Sequence, residues 1–87
     1  MSDGVELKVE RIYRIEGDRP LKGFADISIA GSFIIKGLRI VAGKNGLFVG
    51  MPQELGKNGK WYDRVDLVND ALRDKLADMV ISAFDES

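Results

Sequence analysis

The chain opens on a period of two. Val5, Leu7 and Val9 are apolar while Glu6, Lys8 and Glu10 are charged, the pattern of a strand with one face in a core and one in water. The alternation slips at Arg11-Ile12-Tyr13, which predicts a bulge or a change of face there. Glu16-Gly17-Asp18-Arg19-Pro20 gathers strand breakers into a first turn. Leu21–Ala30 reads as a second strand with Ala25, Ile27 and Ile29 on one face, and Gly31-Ser32 as a tight turn after it. Phe33–Val41 and Leu47–Met51 are two apolar runs joined by Gly43-Lys44-Asn45-Gly46. Asn-Gly between such runs predicts a hairpin, because a short turn needs positive φ that Asn and Gly tolerate. Pro52 closes the second run, since it has no N–H to give a ladder. Gln53–Lys60, with two glycines and a second Asn-Gly, reads as an exposed loop, and Trp61–Val65 as a short fifth strand.

Past Val68 the period lengthens. Leu72, Leu76, Met79, Val80, Ala83 and Phe84 recur at steps of three and four, with Asp70, Arg73, Asp74, Lys75 and Asp78 between them, which predicts one amphipathic helix over 69–85. Asn69 is placed to cap it, and Asp70 suits its first turn. The expected fold is α+β: a single domain over 1–87, a loose lead-in at 1–4, a five-stranded antiparallel meander within 5–66, then the helix. One helix covers one sheet face, yet the hairpin strands carry apolar residues on both, Phe33, Ile35 and Val41 against Ile34, Leu38 and Ile40. An antiparallel sheet with a wet face should alternate more cleanly. A second copy of the chain is the expected cover, hence a homodimer.

Composition narrows the chemistry. Among 87 residues there is no cysteine and no histidine, so disulfides, thiolate metal sites and the commonest general base are all missing. Thirteen Lys and Arg against 14 Asp and Glu leave a net charge of −1, so any nucleic-acid contact must come from a local basic patch. No apolar run approaches a bilayer span, and the first residues lack the basic and apolar regions of a signal peptide. A cytoplasmic protein without membrane contact is expected. No catalytic residue, cofactor, metal or small-molecule substrate is expected, since so short a meander offers no pocket-forming insertion.

Asn45-Gly46-Leu47-Phe48-Val49-Gly50-Met51-Pro52 resembles the signature of the stage V sporulation protein G (SpoVG) family of septation regulators. Ala25, Phe33, Arg39, Gly43, Gly59, Asp63, Asn69, Arg73 and Lys75 also fall where that family has the same residue. The resemblance runs from about Leu21 to the end of the helix. It implies a small cytoplasmic dimer without catalytic activity that binds DNA or RNA and regulates sporulation, septation and related genes. It also implies that binding falls on the segment after Met51-Pro52 and on basic residues of the helix.

The candidate contacts are therefore Lys57, Lys60, Arg64, Arg73 and Lys75. Trp61-Tyr62 beside the lysines would add a stacking surface for single strands; alternation allows only one of the two rings to face outward. The plainer readings are a solvated loop for the cluster and ion pairing along the helix for Arg73 and Lys75. Where the family has a Ser-Lys-Arg-like tripeptide after the proline, this chain has Gln53-Glu54-Leu55, and the helix carries an acidic stripe at Asp70, Asp74 and Asp78. Both features favour the alternative, a dimeric protein-interaction module without nucleic-acid binding. The stripe lacks the Asp-x-Asp-x-Asp-Gly loop of a hard-cation site and reads as a solvated face. The two Gly-Lys-Asn-Gly segments, at 43–46 and 56–59, lack the spacing of a phosphate loop and read as turns. Arg39, a charge within a strand, is expected to pair with Asp26 or Asp63 or to lie at the dimer seam.

Overall fold

Four antiparallel strands pair in chain order: β1 (Leu7–Arg14), β2 (Leu21–Ile29), β3 (Phe33–Gly43) and β4 (Gly46–Gly50). Two short strands, β5 (Gln53–Leu55) and β6 (Trp61–Asp63), form a separate ribbon, and the helix α1 (Asp70–Glu86) closes the chain. The computed structural model describes residues 5–86, so the expectation of a loose segment at 1–4 lies outside the described residues. The class is the α+β one expected, but the five-stranded meander is not. The main sheet stops at four strands. Pro52 has no N–H for the ladder, so the chain leaves the sheet after β4. The segment read as a loop then finds its own partner, with Gln53 opposite Asp63, Glu54 opposite Tyr62 and Leu55 opposite Trp61.

Turn chemistry follows steric permission. At the β2–β3 turn Ser32 N–H donates to Ile29 C=O at 3.0 Å, and Ala30 and Gly31 between them both have positive φ, 55° and 64°. At the β3–β4 turn Gly43 pairs with Gly46 across Lys44-Asn45. The positive φ expected of the Asn-Gly pair sits on Gly46 alone, at 115°, where no Cβ opposes it.

Register decides which residues reach the core. The slip anticipated near Arg11 is a bulge between Val9 and Arg11. A second irregularity, unforeseen, lets Lys36 and Gly37 of β3 oppose Asp26 alone; Gly37 takes φ 83° and its N–H donates to Asp26 Oδ1 at 3.2 Å. One extra residue reverses the alternation. Ile35 therefore shares a face with Leu38 and Ile40, opposite Ile27, Ala25 and Gly23, while Ile34 and Val41 lie on the other. The face assignment expected from unbroken alternation is corrected accordingly.

The helix lies over the Leu38 face. Its buried stripe, Leu72, Leu76, Val80 and Phe84, is spaced by four and forms one core with Leu7, Ala25, Ile27, Leu38 and Ile40. Asn69 caps it as predicted, its Oδ1 accepting from Leu72 N–H at 3.1 Å. No basic residue stands in the last turn. Arg14 of β1 supplies the cation instead, donating to Phe84 C=O at 3.1 Å with its guanidinium 4.0 Å from the Phe84 ring centroid. No helix among the described residues is long and apolar enough to cross a membrane.

Candidate nucleic-acid interface

The ribbon is held by its own short-range bonds. Gly56 N–H donates to Lys60 C=O at 2.7 Å and Gly59 N–H to Gly56 C=O at 3.1 Å, with Gly59 at φ 82°. Asn58 braces the turn from within: its Oδ1 accepts from Lys60 N–H at 3.0 Å and its Nδ2 donates to the Tyr62 hydroxyl at 2.7 Å. At the base, Gln53 Nε2 donates to Asp63 Oδ1 at 2.8 Å and Arg64 N–H to Pro52 C=O at 2.8 Å. Lys57 and Lys60 are thereby presented at the ribbon's tip, both exposed. Among the described residues neither is in an ion pair.

Trp61 and Tyr62 are both open, 62% and 45% exposed, against the expectation that alternation would hide one. Alternation hides a side chain only where the sheet has a covered face, and a two-stranded ribbon standing apart has none.

The two arginines among the candidates are already engaged. Arg64 Nε pairs with Glu54 Oε1 across the ribbon. Arg73 donates to Asp66 Oδ1 at 3.1 Å and to Leu67 C=O, and lies 3.8 Å from Asp70. Both are open to water, so these pairs are worth at most about 1 kcal/mol and an incoming phosphate can compete for them. Lys75, a half-turn beyond Arg73, is exposed. The structure thus puts Lys57 and Lys60 together on one turn and Arg64 at its base, with Arg73 and Lys75 on the first turns of α1.

Ribbon base and helix start meet at a cavity of about 360 Å3, whose polar wall includes Gln53, Asp63, Asp66 and Arg73. Arg39 also enters this wall. It pairs with neither Asp26 nor Asp63; its Nε is buried and has no hydrogen-bond partner among the described residues. Its head lies across Gly50, the residue opposite it on β4, where a Cβ would come 2.6 Å from Nη2. Its place in an apolar strand was the one sequence signal; its cavity was not legible there.

The sheet face away from α1 carries Tyr13, Ile34 and Phe48, 46%, 56% and 50% exposed. On that face Arg11 donates to the Tyr13 hydroxyl at 2.7 Å, and this bond raises the guanidinium above its usual range. Among the described residues no group of His, Cys, Asp or Glu is placed to hold a metal ion.

A four-stranded sheet under one helix, with a separate ribbon carrying free lysines, defines a small α+β domain. The chain belongs to the SpoVG family, whose sequence model matches residues 6–86. It is 37% identical over 81 residues to "Putative septation protein SpoVG" of Archaeoglobus fulgidus, covering 93% of this chain and 95% of that one. It is 32% identical to SpoVG 1 of Listeria monocytogenes, covering 93% of this chain and 79% of that one. With the Staphylococcus aureus SpoVG the identity is 31%, over 88% of this chain and 77% of that one.

Proposed function

We propose that this chain is a cytoplasmic, homodimeric regulator that binds DNA or RNA through the tip of the β5–β6 ribbon and acts on septation- and sporulation-type gene expression. The observation that supports it is the pairing of Lys57 and Lys60, in no ion pair among the described residues, with the open ring of Trp61 beside the same turn. Exposed lysines on a turn meet phosphates with little loss of hydration while releasing counterions, and an open indole stacks on any base. Arg64 and Arg73 add contacts only where phosphate displaces Glu54, Asp66 and Asp70, and the exposed Lys75 stands beside them. A second copy would double the patch, and the apolar side chains left open on the sheet favour one. The septation role rests on the names of the relatives.

Binding of short single-stranded DNA and RNA, followed by fluorescence anisotropy across a salt series, tests the reading. Each phosphate contact contributes about 0.7 to the slope of log K on log salt for single strands, so Lys57→Ala with Lys60→Ala should flatten it by roughly 1.4 per protomer. An unchanged slope, or no binding at low salt, removes the ribbon from consideration.

One observation favours a protein-interaction module instead: the Glu54–Arg64 pair removes a cation from the ribbon. On that reading the wild type binds neither nucleic acid, and Glu54→Lys with Leu55→Arg, which also releases Arg64, creates binding.

A further inference from the structure

Arg39 lines the cavity between ribbon base, β4 and α1, and its Nε, enclosed beside that space, is the one buried side-chain polar atom without a partner among the described residues. A buried guanidinium donor left unpaired is costly, and a carboxylate is the acceptor whose planar fork it matches. The head lies against Gly50, where any Cβ would displace it. Two carboxylates share the wall, and each is only half used. Asp63 engages Gln53, and Asp66 engages Arg73, through Oδ1 alone. They disfavour a phosphate dianion and offer acceptors to a cationic group. Val49, Met51 and Leu76 supply an apolar side to the same space. Its volume of about 360 Å3 suits a small ligand.

We propose that this cavity binds a free α-amino acid with an apolar side chain, its carboxylate on Arg39, its ammonium on Asp63 and Asp66, and its side chain against Val49, Met51 and Leu76. The site is independent of nucleic-acid binding at the lysines of the ribbon tip, and either can fail without the other.

The protein is titrated with L-leucine while the Arg39 Nε–H and Gly50 amide resonances are followed by NMR. Leucine should shift both saturably in the millimolar range. Leucinamide, without the carboxylate, should leave Nε–H unmoved, and N-acetyl-leucine, without the ammonium, should bind at least about tenfold more weakly. Gly50→Ala should abolish the leucine response while the rest of the spectrum stays folded, because the atoms nearest the added methyl belong to the flexible end of Arg39. No saturable shift at millimolar leucine overturns the proposal. So does N-acetyl-leucine binding as well as leucine, which would make this a plain carboxylate site, and so does a full response in Gly50→Ala.

Discussion

Gly23 is pressed between strand and helix. A Cβ there would come 2.3 Å from Tyr13 C=O and 3.1 Å from the Phe84 ring. The carbonyl belongs to the β1 backbone, which cannot swing aside as a side-chain end can. Gly23→Ala must therefore open the β1–β2 ladder, and it also crowds the Phe84 ring. Overpacking of this kind costs about 1–3 kcal/mol. At roughly 4–8 °C per kcal/mol for a domain this size, thermal unfolding by circular dichroism should show a clear drop in Tm. A Tm unchanged within error would mean that the strand yields more easily than its position implies. Arg14 gives a milder test of the same corner. Arg14→Gln removes the cation at the helix C-terminus and its contact with the Phe84 ring, and should cost about 0.5–1 kcal/mol. Denaturant titration should then move the midpoint and leave the slope unchanged.

Among the elements, α1 is the one whose ends can be tested separately from its packing. Asn69→Ala leaves the stripe of Leu72, Leu76, Val80 and Phe84 intact and removes only the acceptor for Leu72 N–H. The expected loss is about 1 kcal/mol, with faster hydrogen exchange confined to the first turn. This helix was legible in full, cap included, because its apolar spacing and its capping residue agree. The strands were legible as strands and their faces less so. The bulge at Lys36-Gly37 reverses the alternation of β3 through a backbone conformation, φ 83° at Gly37, that leaves no trace in hydrophobicity. The ribbon was missed because Gln53–Leu55 is too short and polar to announce a strand; only the pairing with Trp61–Asp63 makes it one. The candidate lysines were legible as charges, but what frees Lys57 and Lys60 and occupies Arg64 and Arg73 is side-chain geometry. Spacing does not encode it.

At the scale of the whole molecule, assembly turns on the second face of the sheet. The helix buries one side, and the other shows Tyr13, Ile34 and Phe48 about half exposed around the polar pair Arg11 and Asp26. The bulge in β3 moves Ile35 to the covered side, so this face is less apolar than unbroken alternation suggests. That is the character of an interface between separately folded copies rather than of a split core. A stable contact buries about 800 Å2 per partner, and the face of the four-stranded sheet offers a continuous surface for one. A dimer through it would place two basic ribbons on one assembly, where linked sites gain from each other's proximity. Sedimentation at low micromolar concentration should therefore give twice the chain mass. Phe48→Glu sets a charge on the face without touching the Leu38 side, and it should halve that mass while the circular dichroism spectrum is kept. Val68→Glu, at a residue 91% exposed between ribbon and helix, should leave the dimer intact. A wild type that sediments as a monomer, or a Phe48→Glu protein that stays dimeric, would take the open face out of the assembly and leave each ribbon to bind with a single patch.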